Sequence, residues 1–220
     1  MKKALFGLAV VLIVIGFVFV VRDMREGRAT EATAAAQGQA ANLVRPHSPV
    51  LGPEGAKVTI VEFTDPACET CAAFAPFLKA YMARYPGRVR LVLRYAPFHE
   101  GADAAVRVLE AARAQGKLWE TLDLLYREQG AWTVSHRVEA DRILELVPRV
   151  PLDMARLRAD MADPRIDAII QQDLADARAL AVTGTPGIFV NGKPLEPFGA
   201  QEFRKLIGSE LRANYPELAR

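Results

Sequence analysis

The feature that most constrains this chain is a pair of cysteines separated by two residues, Cys68 and Cys71, which are its only cysteines. The pair follows a β-branched, apolar run at 58–64 that is typical of a buried strand, and Asp65-Pro66 interrupts that run. Beyond the cysteines, large apolar residues recur with a helical period, at Phe74, Phe77, Leu78, Tyr81 and Tyr85. The sequence therefore predicts a strand, a break and a helix that begins with the cysteine pair.

A helix N-terminus changes the chemistry of a cysteine. Its unpaired backbone N–H groups and the positive end of its dipole stabilise a thiolate, so the pKa of the first sulfur should fall below the roughly 8.5 of a free cysteine. We therefore expect Cys68 to be exposed and to act as an attacking nucleophile. Cys71, one helical turn inside, is expected to resolve the mixed disulfide that Cys68 forms.

Two other uses of a cysteine pair are disfavoured by the sequence. Zinc usually takes four ligands, but there is no second cysteine pair, and the three histidines are scattered at positions 47, 99 and 136. A purely structural disulfide would close almost no loop and would remove little entropy from the unfolded chain. Neither a resident metal nor a cofactor is therefore predicted. A soft Cu(I) site formed by Cys68 and Cys71 stays open as an alternative.

The cysteine pair and its surroundings resemble the thioredoxin superfamily, and specifically its DsbA-like, extracytoplasmic branch. Glu62 lies six residues before the first cysteine, and Pro76 lies five residues after the second, where thioredoxins carry a helix-kinking proline. Much further on, the segment 183–193 is similar to the family's cis-proline loop, strand and hairpin turn, with Asn191-Gly192 as a type I′ turn signal. Glu62, the cysteine pair, Pro76 and the segment 183–193 follow one another in this order, and together they form a specific signature.

The resemblance assigns roles to three residues outside the cysteine pair. Glu62 corresponds to a buried acid that moves protons to and from the thiols. Thr185 and Pro186 correspond to the loop that lies against the cysteines and pairs with an incoming client strand, with Pro186 in the cis form. An ordinary trans proline is the alternative, but Gly184 and Gly187 favour a close approach of the backbone.

The dipeptide between the cysteines, Glu69-Thr70, departs from the Pro-His of the strongest oxidant in this family. A carboxylate next to Cys68 opposes formation of the thiolate, and Thr185 is the residue type that isomerase-like and reducing relatives carry before the cis-proline. We therefore interpret Glu69 and Thr70 as redox-tuning residues that make the disulfide less oxidising.

The N-terminus carries an uninterrupted apolar run at 4–21, close to the roughly 20 residues that cross a bilayer core. The run ends without a small-x-small cleavage site, so residues 1–22 are predicted as an uncleaved membrane anchor, with a cleaved signal sequence as the alternative. The resemblance then predicts a single-pass inner-membrane protein with its globular part in the periplasm, or a soluble periplasmic protein after cleavage. Residues 23–45 are rich in Ala, Gln, Thr and Gly and are predicted to be a flexible tether.

The remaining 46–220 predict an α/β domain, and the resemblance makes it a thioredoxin fold with a helical insertion at about 101–182. A second strand at 88–95 is expected to run parallel to the first, and His99 just beyond it is interpreted as an ordinary loop histidine rather than a residue near the thiols. Helices are predicted near 101–115, 117–129, 138–147, 152–161, 165–181 and 200–211. The aromatic residues of the insertion are assigned to the core rather than to a groove beside the thiols: Trp119, Tyr126 and Trp132.

The sequence thus predicts a membrane-tethered protein thiol–disulfide oxidoreductase whose direction of electron flow is open. Its expected partners are client proteins with thiols or disulfides, an unidentified redox partner, and the inner membrane through residues 4–21. The net charge is +2, with both signs interspersed, so no nucleic-acid partner is expected. A redox-inactive peptide-binding domain is a further alternative, disfavoured because both cysteines are present.

Overall fold

The structure is a computed structural model that describes residues 42–219. The predicted anchor and most of the predicted tether lie outside these residues. In the part of the chain that is described, none of the helices has the length and apolar character needed to cross a bilayer.

A five-stranded sheet forms the centre of the described domain. Within residues 42–219 the strands are β1 (Val50–Leu51), β2 (Val58–Thr64), β3 (Val89–Tyr95), β4 (Thr133–Val134), β5 (Arg137–Val138), β6 (Gly187–Val190) and β7 (Lys193–Pro194). The sheet has the order β1-β3-β2-β6-β7, and β4 pairs with β5 in a separate hairpin. Only the β2–β3 pair is parallel among the described strand pairings of the central sheet.

Helices cover both faces of this sheet. They are α1 (Glu69–Arg84), α2 (Ala102–Arg113), α3 (Leu118–Arg127), α4 (Gln129–Trp132), α5 (Ala140–Leu146), α6 (Met154–Asp160), α7 (Pro164–Ala179) and α8 (Ala200–Asn214). Asp163 caps the start of α7, because its side chain accepts a hydrogen bond from the backbone N–H of Arg165 and Pro164 follows in the first turn.

The unit β2-α1-β3 is the predicted β-α-β unit, with β2 and β3 parallel and Glu62 opposite Leu93. Side chains of a strand alternate between the two faces of the sheet. Ile60 packs in the same core as α1 and α8, whereas Phe63 packs on the opposite face. Glu62 therefore points to the α1 side, beneath the helix that carries the cysteines.

The insertion between β3 and β6 is not helical throughout, which corrects the sequence prediction. After α4 the chain forms the β4–β5 hairpin, whose turn holds Ser135 and His136 at φ values of 49° and 63°. Neither residue is a glycine, so the sequence pattern contains no signal for a turn in which both residues adopt left-handed backbone angles. The hairpin docks on the loop after β3, since the backbone N–H of Val138 donates to the carbonyl of Glu100 at 3.0 Å.

The insertion has its own apolar core. Trp132 is fully buried, and its indole N–H donates to the carbonyl of Leu125 at 2.8 Å, which agrees with the predicted core assignment. Trp119 is half-buried and packs against both the insertion core and the core beneath α1. Of these three aromatic side chains, Tyr126 extends its hydroxyl to Thr64 of β2, as described below.

The first described residues pack on the domain instead of leaving it. Leu43 is buried, and its carbonyl accepts a hydrogen bond from the fully buried Arg94 at 3.0 Å. Arg45 forms an ion pair with Asp176 of α7. The packed domain therefore reaches back at least to Asn42, into the last residues of the predicted tether.

Candidate active site

The two cysteines hold unequal positions at one helix end. Cys68 is the N-cap residue of α1, with φ −81° and ψ 121°, and Cys71 is the third helical residue. Both thiols are free. Cys68 was expected to be exposed, but its exposed fraction is 6%, because the loop that contains Thr185 covers it. The Cys68 thiol donates to the Thr185 carbonyl, with Sγ and the oxygen 3.3 Å apart.

The surroundings separate the acidities of the two sulfurs. A hydrogen bond from the Cys71 thiol is the largest contribution that lowers the pKa of Cys68, to about 5, with help from Thr185 and from the backbone N–H groups of Cys71 and Thr70. Burial opposes this effect but does not cancel it. Burial also raises the pKa of Cys71 well above its ordinary value, and Cys68 and Glu62 raise it further. One sulfur is thus disposed to be a thiolate and the other a thiol.

Glu62 is a buried acid below the cysteines. Its exposed fraction is 2%, and its Oε1 atom has no hydrogen-bond partner within residues 42–219. Burial raises the pKa of Glu62 to about 8, and the nearby Cys68 also raises it. Near neutral pH this carboxyl group therefore mostly holds its proton but can still release it, as a proton carrier requires.

The insertion contributes a polar group to this region. The Tyr126 hydroxyl lies 2.6 Å from the Thr64 hydroxyl, and Thr64 shares a strand face with Glu62. Burial raises the pKa of Tyr126 well above its usual value, so the hydroxyl keeps its proton. The sequence pattern assigned Tyr126 to the core, and the structure places it partly buried against the insertion core, but the pattern did not reveal that its hydroxyl reaches β2.

The loop before β6 has the geometry that the resemblance implied. The Thr185–Pro186 peptide bond is cis. A groove of about 400 Å³ runs along this loop and is lined by Thr70, Thr185, Pro186 and Phe198, among other residues. Phe98 and Phe198 are large apolar side chains that remain half-exposed. The second cis bond, Glu196–Pro197, carries no sequence signal of its own and was not predicted.

His99 is not an ordinary loop histidine, which corrects the sequence interpretation. Its Nδ1 atom lies 2.8 Å from Oδ2 of Asp65, and Asp65 is fully buried. Asp65 also accepts hydrogen bonds from the backbone N–H groups of Ala67, Phe98 and His99. The carboxylate thereby fastens the loop after β3 to the turn that precedes Cys68. An acid directly between a strand and the cysteines was the signal that could have pointed to this role.

Glu69 is engaged by the β4–β5 hairpin. Its Oε1 atom lies 3.2 Å from Nδ1 of His136, and the rings of His136 and His99 are stacked with their centroids 6.2 Å apart. Two of the three scattered histidines therefore meet beside the cysteine helix. Nothing in a single sequence connects position 136 to position 69, because the contact depends on how the hairpin folds back.

Comparison with known proteins agrees with this geometry. The sequence model of the family described as Thioredoxin matches residues 45–209, which is more than half of the chain. The chain belongs to the thioredoxin family. A relative named "Probable disulfide bond formation protein D" from Bacillus cereus is 30% identical over 172 residues, covering 74% of this chain and 78% of that protein.

Solved structures share the fold of this domain. A thioredoxin-like oxidoreductase from Silicibacter pomeroyi is 31% identical, with a TM-score of 0.65 over 75% of this chain and 92% of that chain. The thiol-disulfide exchange protein alpha-DsbA2 from Wolbachia pipientis shares the fold, with a TM-score of 0.66 at 20% identity over 83% of this chain and 97% of that chain. The free Cys68–Cys71 pair of this chain therefore lies in a domain with the thioredoxin family's sequence pattern and fold.

Other relatives are much longer than this chain. The Na(+)/H(+) antiporter NhaA of Herminiimonas arsenicoxydans is 32% identical over 146 residues, which is 66% of this chain but 22% of that protein. The chain therefore spans about a fifth of the length of this relative. The similarity carries no antiport activity to this chain.

Proposed function

We propose that the protein exchanges disulfides with client proteins, with Cys68 as the attacking sulfur and Cys71 as the resolving sulfur. The observation that carries the proposal is the inequality of the two sulfurs. Cys68 stands at the N-cap of α1, where the Cys71 thiol and backbone N–H groups stabilise its thiolate, whereas Cys71 is fully buried one turn inside.

The exchange proceeds in two balanced steps. The Cys68 thiolate attacks a client disulfide, forms a mixed disulfide and expels one client sulfur as a thiolate. Cys71 then gives its proton to the Glu62 carboxylate and attacks the Cys68 sulfur, which releases the second client sulfur and leaves a Cys68–Cys71 disulfide. Two electrons pass from the cysteine pair to the client. Oxidation of a client dithiol is the same sequence in reverse, with Glu62 returning the proton.

The groove along Thr185 and Pro186 is the proposed client site. An extended client segment lying against this loop would bring its sulfur to Cys68, which is in contact with the Thr185 carbonyl. The half-exposed Phe98 and Phe198 offer apolar surface to side chains that flank a client cysteine. Such contacts suit many sequences, because they use backbone groups and apolar area.

Trapping of the mixed disulfide tests the two roles. A Cys71→Ser protein should attack clients but fail to release them, so it should accumulate covalent complexes that dithiothreitol dissolves. Cys68→Ser should trap almost nothing, and the double variant sets the background. Equal trapping by the two single variants would show that the assignment of nucleophile and resolver is wrong.

The direction of exchange is proposed to be oxidative, which is supported by relatives named for disulfide bond formation. With Glu69-Thr70 between the cysteines, the pair should nevertheless be more reducing than about −120 mV, the value of the strong periplasmic oxidant. Equilibration with glutathione in metal-free buffer measures this potential. A value at or above that of the strong oxidant would contradict the role given to the dipeptide.

The cellular location is part of the same proposal. Residues 1–22 would anchor the protein in the inner membrane through the run 4–21, and the following residues would tether the domain in the periplasm. The length and apolar character of the run support the anchor. Fractionation of cells tests it, and recovery of a soluble form that lacks Met1 to about Ala36 would contradict the anchor and favour a cleaved signal sequence.

A further inference from the structure

Three metal-binding side chains converge beside the cysteine helix from separate parts of the fold. Glu69 is the first residue of α1, His99 lies in the loop after β3, and His136 lies in the β4–β5 turn. One donor atom from each lies within 4.8 Å of the donor atoms of the other two. The convergence comes from the insertion, whose hairpin returns over the start of α1.

The spacing of these atoms suits a small metal ion. For tetrahedral coordination with metal–ligand distances of about 2.0–2.1 Å, neighbouring donor atoms lie about 3.3 Å apart. Oε1 of Glu69 and Nδ1 of His136 are already 3.2 Å apart. The donor atom of His99 lies within 4.8 Å of both, and Glu69 and His136 are exposed side chains with room to adjust.

His99 is held as a metal ligand commonly is. Its Nδ1 atom contacts the buried carboxylate of Asp65 at 2.8 Å, and that carboxylate is itself fixed by backbone N–H groups. This contact fixes the ring orientation and leaves Nε2 free to bind an ion, which is the carboxylate–histidine–metal arrangement found at many zinc sites. A simple surface ion pair between Glu69 and His136 would not require it, so the contact is a second observation that points to a ligand.

We propose that Glu69, His99 and His136 form a binding site for a divalent transition-metal ion, best satisfied by Zn²⁺. Two imidazoles and one carboxylate are ligands that Zn²⁺ takes in three-ligand sites, where the fourth position stays open for water or another group. Neither cysteine is needed as a ligand. Because Glu69 directly follows Cys68, the ion would be bound beside the attacking sulfur. Exchange assays of this protein should therefore depend on the metal content of the buffer.

Calorimetric titration with Zn²⁺ tests the site. The full-length chain is first stripped with a chelator and oxidised to the Cys68–Cys71 disulfide, so that the sulfurs are unavailable as thiolate ligands. We expect one ion per chain. His136→Ala should raise the Kd by more than the about 10–100-fold that loss of an outer-shell partner costs. This side chain is 74% exposed, so its removal should not disturb the fold.

Matched variants separate a metal site from a change in local charge or stability. Arg137→Ala removes a neighbouring exposed side chain that is not a donor in the proposed site, and its affinity for Zn²⁺ should equal that of the wild type. Glu69→Gln keeps the shape of the side chain and should weaken binding without unfolding. Co²⁺ provides a spectroscopic check, since the oxidised protein should give a tetrahedral spectrum without a sulfur charge-transfer band.

Three results would overturn the proposal: no saturable binding to the oxidised protein, unchanged affinity in His136→Ala, or binding that appears only when the cysteines are reduced. The last result would assign the metal to the Cys68–Cys71 pair instead. None of these measurements uses exchange activity, so failure of the metal site and failure of the proposed function are independent outcomes.

Discussion

Buried ionisable side chains lie on both faces of the β2–β3 strand pair, and the two sets differ in their hydrogen bonding. On one face Arg94 donates to Asp173 at 2.7 Å and to Asp176 at 2.6 Å, and all three side chains are buried. On the other face Glu62 is equally buried, yet its Oε1 atom has no hydrogen-bond partner in the described part of the chain. Burial alone therefore does not distinguish the two groups, whereas pairing does.

The difference in pairing gives opposite pKa shifts. Burial acts to raise the pKa of Asp176, but hydrogen bonds from Arg45 and Arg94 outweigh it and hold that pKa below its ordinary value. For Glu62 burial prevails, and the pKa rises to about 8. A paired carboxylate keeps its charge and fastens elements together, while an unpaired acid exchanges its proton near neutral pH. The first arrangement suits structure and the second suits chemistry.

The largest expected effect comes from breaking the paired group. Asp173→Asn removes the charge that faces Arg94, whose Nε and Nη2 atoms both donate to Asp173. Loss of one partner of a buried ion pair costs about 3–5 kcal/mol, because the remaining charge stays buried without full compensation. Urea denaturation should show this loss as a lower free energy of unfolding.

A control on the same helix sharpens the result. Asp167 also lies on α7 and pairs with Arg107, but both side chains are more exposed than those around Arg94. Asp167→Asn should therefore change the free energy of unfolding by about 1 kcal/mol or less. Similar losses for the two variants would mean that the Arg94 group is not a special source of stability.

The second effect concerns the unpaired acid and depends on pH. Glu62 titrates near 4.5 when unfolded and at about 8 when folded. Between these values the folded chain holds a proton that the unfolded chain has lost, so stability falls as the pH rises through this range. Glu62→Gln cannot titrate. Its stability relative to the wild type should therefore increase between pH 4.5 and pH 8, by up to about 4 kcal/mol at about 1.4 kcal/mol per pKa unit.

The same variant separates stability from function. Glu62→Gln should slow the resolving step by about 100-fold, the lower end of what a positioned proton carrier contributes. Denaturation at several pH values and rapid-mixing kinetics of client release give the two measurements. Leu93→Ile, opposite Glu62 on β3, changes no charge and should show neither the pH-dependent gain nor the slow release. A variant that matches the wild type in both measurements would show that Glu62 is not a proton carrier.

The two groups also show which features of the fold could be predicted from the sequence and which could not. The β2-α1-β3 unit, the cysteine pair at the helix start and the Asn191-Gly192 turn were predicted because each depends on residues that are close in the sequence. Arg94 was placed in a strand, but its burial depends on Asp173 and Asp176, which come from a helix far along the chain.

The neighbourhood of the cysteines divides in the same way. Glu62 and Pro186 followed from their positions in a known pattern, whereas the roles of His99 and His136 depend on tertiary contacts with Asp65 and Glu69. Burial of Cys68 could not be predicted from its place at a helix start, because the loop that covers it comes more than a hundred residues later. Long-range packing thus supplied what local patterns could not.

The smallest expected effect concerns the Tyr126 hydroxyl, which reaches the surroundings of Glu62 through Thr64. Tyr126→Phe removes the hydroxyl that lies 2.6 Å from Thr64 and should cost about 1 kcal/mol of unfolding free energy, the usual net value of one hydrogen bond. It also frees the Thr64 hydroxyl, which already acts to lower the pKa of Glu62, to donate more fully to that carboxyl group. We therefore expect the pKa of Glu62 to fall, and infrared titration of its carboxyl band measures the shift.

Tyr81→Phe on α1 is the control, since no hydrogen bond of its hydroxyl occurs within residues 42–219, and it should change neither quantity. An unchanged or higher pKa of Glu62 in Tyr126→Phe would show that the insertion has no part in keeping this acid protonated.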